Sequence, residues 1–479
     1  MRVLFVRPRP PQETIGLQHV MIVEPLELEI LATGIQSEHT VRIIDMILET
    51  ASFESFLEAF NPDILCLTGY ITHIPVIQEY CQRAKLLRPE IITVTGGVHT
   101  ELFPEDIDHA AIDYRVVRNA VAVFPKLLLS ILAGDPPPPG VLKQGESCNR
   151  ALLPEHDYQY IIPDRSLTAP YRDQYFYVYH DKVALIKTSF GCPYTCTFCF
   201  CRQITDGHYF ERSLTEVIEE LRGIKEQEIY IVDDDFLLSR KRIETFIGLL
   251  KEQGLKKKFL VYGRADFVAA NGDLIKAFHE VGLRTIIIGL ESFSNQELSG
   301  YNKLTSSDTN RKAMEVLNET GVDCYAAVIT PPDWAEEEFK QAGDIMLDLG
   351  IKFVNLQPLT PLKGTEVDVD ESQLVLSRSD FARWDLAHVA IKPERLSLQQ
   401  YYQNIMNLYE RILFRPLHLL SHMKYSWRLQ WRMFNGLRRV HRQYGKRILA
   451  AADPTSPIAS PQPNTPQEKW GPTQADDHA

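Results

Sequence analysis

What most constrains the fold is an alternation of short apolar runs with helical patterns, and it occurs twice along the chain. In the first 130 residues, apolar runs at Val3–Val6, Val41–Ile44, Ile64–Thr68 and Ile91–Thr95 read as strands. Helical periodicity at Leu26–Ile35, Phe53–Phe60, Pro75–Leu87 and Val121–Leu132 separates and follows them. Strands joined by helices predict a doubly wound parallel sheet, whose ligands sit beyond the carboxyl ends of the strands. A second alternating region starts at Ala184–Thr188 and continues through Glu228–Val232, Lys258–Tyr262, Thr285–Gly289, Cys324–Ile329 and Phe353–Leu356. Its spacing predicts a full or partial parallel β/α barrel. Between the two regions, Asp135-Pro-Pro-Pro-Pro-Gly140 can continue neither a helix nor a central strand. The expected plan is α/β throughout: a domain at 1–135, a connector at 136–183, a barrel at 184–370, a helical region at 371–450 and a disordered tail at 451–479.

Four of the eight cysteines fall within ten residues: Cys192, Cys196, Cys199 and Cys201. Packing of this kind points to a metal site and not to an extracellular disulfide framework. The opening Met1-Arg-Val-Leu-Phe-Val-Arg-Pro has an apolar run too short for a signal peptide, and no run of 18 apolar residues occurs. A reducing cytoplasm is therefore the expected compartment. Cys192, Cys196 and Cys199 are spaced C-x3-C-x2-C in a loop directly after a strand. Three thiolates on three irons of a cubane leave the fourth iron open for chemistry. A structural zinc site would need four ligands at other spacings. Cys201, two residues further on, is either a buried thiol or a catalytic one.

The segment Cys192-Pro-Tyr-Thr-Cys196-Thr-Phe198-Cys199 resembles the signature of the radical S-adenosylmethionine superfamily, and the likeness extends over 184–365. It implies a 4Fe–4S cluster on the three cysteines, S-adenosyl-L-methionine chelated at the open iron, and a 5′-deoxyadenosyl radical. By the same resemblance Phe198 lies near the adenine. Val232-Asp233-Asp234-Asp235-Phe236 matches the segment that receives the methionine amine, with Asp233 and Asp234 as acceptors. Arg264 in Tyr262-Gly-Arg-Ala-Asp266 would fork to the methionine carboxylate. Glu291 in Ile288-Gly-Leu-Glu-Ser292 would lie near the ribose hydroxyls, and Pro358–Thr365 near the adenine. The resemblance also implies an external electron donor of the flavodoxin or ferredoxin type.

The N-terminal region resembles cobalamin-binding domains fused to radical enzymes. Thr68-Gly69-Tyr70 stands where that family has a small hydroxyl residue, and Gly96-Gly97 follows 28 residues later. Gly97-Val-His99 and Pro104-Glu-Asp extend the match. The resemblance implies Thr68 against the nucleotide tail and backbone approach at Gly96 and Gly97. Tyr70, Thr72 and His73 would face the lower side of the corrin. The family's Asp-x-His-x-x-Gly loop is missing, since residues 7–16 contain no histidine. Methylcobalamin bound base-off, without a histidine ligand, is therefore expected. The whole chain looks most like the hopanoid C-3 methylases, which implies cobalamin-dependent methylation of an unactivated carbon in a small-molecule or lipid substrate. Two alternatives stay open: an oxidative cyclase of the anaerobic magnesium-protoporphyrin monomethyl ester type, and a non-catalytic cobalamin sensor.

The net charge of −12 argues against nucleic acid as a whole-surface partner. Residues 411–447 nevertheless hold ten Lys or Arg and no acid, interleaved with Tyr425, Trp427, Trp431, Phe434 and Tyr444. Such a helix either lies on an anionic membrane surface as a peripheral contact or packs its basic face on this acidic protein; nucleic-acid binding is a third reading, which no base-reading module accompanies.

Overall fold

The structure is a computed structural model that describes residues 1–16, 19–413 and 426–452. It divides into two compact units. The first holds Met1–Phe176 together with Phe381–Asp385, and the second holds Tyr177–Asp380 and the chain from Leu386. The expected connector is therefore not a linker, because its larger part packs with the N-terminal unit.

The N-terminal sheet contains β1 (Arg2–Arg7), β2 (Thr40–Asp45), β3 (Ile64–Thr68), β4 (Ile92–Gly96), β5 (Tyr114–Val116) and β6 (Val141–Lys143). Their order is β2-β1-β3-β4-β5-β6. All pairings are parallel except that of β5 with β6, which sequence patterning does not foretell because both strands are only three residues long. Strands buried on two faces read as continuous apolar runs. Leu4 and Val6 of β1 pack with Phe53, Leu57 and Ile77 on one face. Val3 and Phe5 pack with Leu28, Phe124 and Leu127 on the other. These partners come from α1 (Leu26–Ile35), α2 (Phe53–Phe60), α3 (Ile74–Leu87) and α4 (Ala120–Ala133). The chain leaves β1 toward β2 and then crosses to β3 on the opposite side, so a crevice opens at the carboxyl ends of β1 and β3.

Buried polar ties hold the former connector to this unit. Arg172 pairs with Glu24, the Thr168 hydroxyl donates to Glu29, and the Tyr175 hydroxyl donates to Asp45 at 3.3 Å. The short return of the chain at Phe381–Asp385 is fixed in the same way. The Thr14 hydroxyl donates to Ala382 O at 2.7 Å, the Ile15 N–H donates to Asp385 at 2.7 Å, and Phe381 packs against the core.

The second unit is built on six parallel strands in chain order: β7 (Val183–Ile186), β8 (Glu228–Ile231), β9 (Lys258–Gly263), β10 (Leu283–Glu291), β11 (Asp323–Thr330) and β12 (Phe353–Pro358). Among the described residues no pairing joins β12 back to β7, so the barrel is partial. Helices α5 (Leu214–Gly223), α6 (Arg240–Glu252), α7 (Gly272–Val281), α8 (Ser307–Thr320) and α9 (Glu336–Asp348) cover the outside. Phe236, Phe246, Phe259 and Phe278 form one aromatic cluster there, with ring centroids 5.5–6.1 Å apart. On the other face Tyr230 lies 5.9 Å from Tyr262, and Tyr325 lies 4.8 Å from Phe353. Residues 370–397, expected to be mostly helical, form only short turns before α10 (Leu398–Leu413) and α11 (Trp427–Ala452). Residues 414–425 and the expected disordered tail from 453 lie outside the described residues. No described helix is long and apolar enough to cross a membrane.

Candidate functional sites at the two sets of strand ends

In the second unit, β7 runs into a short antiparallel pair, Ser189–Phe190 with Phe210–Glu211, and then into the cysteine loop. Gly191 opens the loop at φ 79°, where a Cβ would lie 2.2 Å from His208 O, so no other residue fits. Cys192, Cys196 and Cys199 follow, all partly buried. The loop is tied to the segment after β10. Thr197 N–H donates to Tyr301 O at 3.1 Å, and the Asn302 amide donates to Thr195 O at 2.9 Å and to its hydroxyl at 2.8 Å. Glu366 N–H, past β12, donates to Thr197 O at 2.8 Å. Phe198 sits edge-on to Tyr301 at 5.7 Å, with Lys303 Nζ 5.8 Å from its ring.

Burial pushes the Cys192 thiol up to about 12 and raises that of Cys196 as well. A hydrogen bond from Cys201 lowers the Cys199 thiol, and the same contact raises Cys201. Cys201 therefore sits against a sulfur of the triad. Among the described residues no three His, Cys, Asp or Glu side chains converge on a single-ion position. The donor set fits a cubane better, because a cubane spreads its three thiolates over three irons. Loading it must expel the protons that burial favours.

The acidic run after β8 divides by role. Asp233 is fully buried and faces back toward β7. It accepts from Thr188 N–H at 2.6 Å, Ser189 N–H at 3.0 Å, the Ser189 hydroxyl at 2.8 Å and the Thr188 hydroxyl. This corrects its expected role: its carboxylate fixes the entry to the cysteine loop and has no acceptor capacity left for an amine. Asp234 is half-buried beside Cys192, Cys199 and Cys201. Asp235, which sequence reasoning passed over, is 3 % exposed, and neither of its oxygens has a hydrogen-bond partner of good geometry. Burial drives its carboxyl up to about 7, against the pull of Arg264 and Lys303 and a weak approach by Leu237 N–H. Nothing separates Asp233 from Asp235 in the sequence; their partners decide.

Arg264 stacks on Tyr194 at 3.7 Å and donates to Asp266 at 3.0 Å and to Lys303 O at 2.6 Å, so part of its guanidinium is already engaged. Glu291 ends β10 at φ 61°, where the pairing with β11 shifts register. Its carboxylate is buried and receives Lys303 Nζ at 2.8 Å. Burial opposes the Lys303 charge, but Glu291 and Cys196 outweigh it and the ammonium is held more firmly. Lys303, twelve residues from Glu291 in an irregular loop, carried no sequence signal.

In the first unit, the expected residues gather at the ends of β3 and β4. Thr68 pairs in register with Gly96. Gly97 has φ 98°, and a Cβ there would lie 2.6 Å from the Thr68 hydroxyl. This tight, side-chain-free edge fits backbone approach by a large planar ligand at the switch-point crevice. Thr72 is buried and Tyr70 is 64 % exposed. His73 Nδ1 accepts from Tyr70 N–H at 3.4 Å and lies 3.3 Å from the Thr72 hydroxyl. Burial, with Arg7 second, lowers its pKa to about 4, so the ring is neutral. With Nδ1 as acceptor of that contact, the geometry favours the tautomer whose proton is on Nε2. His99 is paired with Asp106 at 3.0 Å and packed on Phe103 and Phe381, a structural placement within the fold.

Comparison with known families agrees with this layout. The B12 binding domain family matches residues 14–128, and the Radical SAM superfamily matches residues 186–345. The chain is a cobalamin-dependent radical SAM enzyme. This enzyme is 28% identical over 436 residues to a hopanoid C-3 methylase from Methylococcus capsulatus, covering 87% of this chain and 80% of the relative. It is 23% identical over 394 residues to the anaerobic magnesium-protoporphyrin IX monomethyl ester cyclase of Rubrivivax gelatinosus, covering 76% and 68%. The fold resembles that of the radical S-adenosylmethionine methyltransferase TsrM from Kitasatospora setae, solved with cobalamin and a [4Fe-4S] cluster bound. That likeness has a TM-score of 0.63 at 15% identity, over 94% of this chain and all of that one.

Proposed function

We propose that this radical SAM enzyme transfers a methyl group to an unactivated carbon of an apolar substrate, of which a hopanoid or related membrane lipid is the best candidate. The observation that carries the reading is the three-thiol loop beside Asp235, a buried carboxylate without a partner, in a chain that also has the glycine-edged crevice of a cobalamin domain. When bound, the cluster, S-adenosyl-L-methionine and methylcobalamin supply a hydrogen-abstracting radical and a transferable methyl group. The chain's own part is to bind and orient. Cys192, Cys196 and Cys199 hold the cluster. Asp235, with Asp234 beside it, accepts the methionine ammonium, which supplies the hydrogen bonds its carboxylate lacks. Arg264 approaches the methionine carboxylate with the part of its guanidinium not held by Asp266. Glu291, held in place by Lys303, accepts from the ribose hydroxyls, and Phe198 lies along the adenine. Thr68, Gly96 and Gly97 admit the cobalamin tail, and His73 lines the corrin without ligating cobalt. An external one-electron donor of the flavodoxin or ferredoxin class supplies the electron.

The similarity to a hopanoid methylase supports the lipid class. The similarity to an oxidative cyclase supports a second reading, in which oxygen is inserted in place of methyl. Mass spectrometry of lipid extracts from cells with and without the gene separates them. A product heavier by one methylene unit supports methylation. A product heavier by oxygen supports the cyclase class, and no product together with no reductive cleavage of S-adenosylmethionine leaves only a cobalamin sensor.

A further inference from the structure

Helix α11 has two faces of opposite character. Leu429, Met433, Gly436, Tyr444 and Ile448 are buried on its own unit. The other face shows Trp427 at 80 % exposure, Trp431 at 60 %, Phe434 at 47 % and Leu449 at 74 %. Trp427, Trp431, Phe434, Arg438 and Arg442 recur at three- and four-residue steps, so they form one stripe along the helix. The Trp431 and Phe434 rings stack at 5.9 Å, and the Arg438 guanidinium lies 5.7 Å over Phe434. Arg428, Arg438, Arg439, Arg442 and Lys446 all reach solvent, and the helix contains no Asp or Glu. Not every base of the region belongs to this surface. Arg432 is paired with Asp181 at 3.0 Å, and Arg411 is engaged by Asp344 and Lys340 O. Arg415 and Lys424 lie outside the described residues.

A solvent-facing helix surface in an acidic protein ordinarily mixes acids with bases and hides its indoles. Here bases without acids flank exposed indoles, over a span of roughly 33 Å at 1.5 Å per residue. That combination suits the headgroup layer of a bilayer, where indole rings sit at the interface and arginines meet phosphates. Beside the stripe, a groove of about 400 Å³ lies between α10 and α11, lined by Glu410, Phe434, Leu437, Arg438, His441 and Arg442. The His441 ring lies 2.9 Å from Glu410, and Arg438 and Arg442 outnumber that single acid in the groove.

We propose that this face of α11 seats the protein reversibly on an anionic lipid bilayer, with the indoles in the interface and Arg438 and Arg442 against lipid phosphate. The proposal stands on exposure and charge in this helix, independently of which carbon is modified. Charge attraction of this kind is worth about fivefold in partitioning per basic residue at the surface, and salt screens it.

The test uses the full-length protein and vesicles of phosphatidylcholine with or without phosphatidylglycerol. Wild type should co-sediment with the anionic vesicles at low salt, dissociate as salt rises, and show a blue shift of tryptophan emission on binding. The triple variant Arg438→Glu, Arg439→Glu, Arg442→Glu should lose at least roughly 100-fold in partitioning. Trp427→Ser with Trp431→Ser should lose both the blue shift and the binding that survives high salt. Circular dichroism should be unchanged in both, since none of these side chains is buried. The proposal is overturned if wild type ignores anionic vesicles, if the arginine variant binds as well as wild type, or if sedimentation velocity shows that self-association already buries the two indoles. Displacement from vesicles by single-stranded RNA at equal charge concentration would likewise overturn it in favour of a nucleic-acid surface.

Discussion

Replacing Asp235 by Asn should make the enzyme more stable and a poorer binder of S-adenosylmethionine, and the two effects should have different pH dependences. The Asp235 carboxyl is raised from 3.8 to about 7, chiefly by burial. A raised acid pKa means the fold favours the protonated form. The penalty is absent below about pH 4, grows from there toward pH 7, and is complete above it. A displacement of that size corresponds to about 4 kcal/mol at most. Asn keeps the shape without the charge, so at pH 8 the ligand-free variant should gain roughly 2–4 kcal/mol. For a unit of this size that is a melting rise on the order of 5–10 °C. At pH 5.5 the gain should fall to about half. Binding of S-adenosylmethionine to the cluster-loaded protein should weaken about 10- to 100-fold in Asp235→Asn, the value of one charge-assisted hydrogen bond. Thermal melts of ligand-free protein at the two pH values, with calorimetric titration of the loaded protein, measure both. If Asp235→Asn melts no higher than wild type at pH 8, or gains as much at pH 5.5, the reasoning from an unpaired buried carboxylate is refuted.

Alanine at Cys192, Cys196 and Cys199 together should abolish the iron–sulfur absorbance and the release of 5′-deoxyadenosine; cleavage retained in the triple variant would overturn the cluster assignment. The Co(II) form of bound cobalamin should show no nitrogen superhyperfine splitting in electron paramagnetic resonance, because the His73 ring is buried and its Nδ1 is engaged by Tyr70 N–H; splitting that disappears in His73→Ala would contradict this. Lys303→Met should destabilise the protein by about 3–5 kcal/mol, because Glu291 is left charged and buried alone. Lys303→Met combined with Glu291→Gln should restore most of that loss in chemical denaturation.

The strands of both sheets were legible because burial on two faces writes itself as unbroken apolar runs, as in Val3–Val6 and Ile64–Thr68. Strands of three residues such as β5 and β6 carry too little pattern to be read. The cysteine loop was legible from spacing alone. The acids beside it were not, because Asp233, Asp234 and Asp235 are chemically identical and only the third dimension shows that Thr188 and Ser189 occupy the first and leave the third unsatisfied. Lys303 was invisible for a related reason: its partner lies on a strand end that the chain reaches twelve residues earlier. The C-terminal region was read as a single basic aromatic helix. The structure distinguishes bases that pair inward, such as Arg432, from those that face out.

The return of Phe381–Asp385 to the N-terminal unit bears on how such a protein can be taken apart. The chain passes between the two units three times, at 176–177, 380–381 and 385–386. A polypeptide ending at Phe176 would lack the Ala382 and Asp385 acceptors and would uncover the apolar surface beneath Phe381. Neither unit is a cassette that evolution or an engineer can exchange with one cut. A graft of the cobalamin half onto another radical enzyme must bring a five-residue piece of its own later sequence with it, and a recombination joint inside the Pro-rich stretch at 135–140, where sequence alone would cut, would sever a folded body.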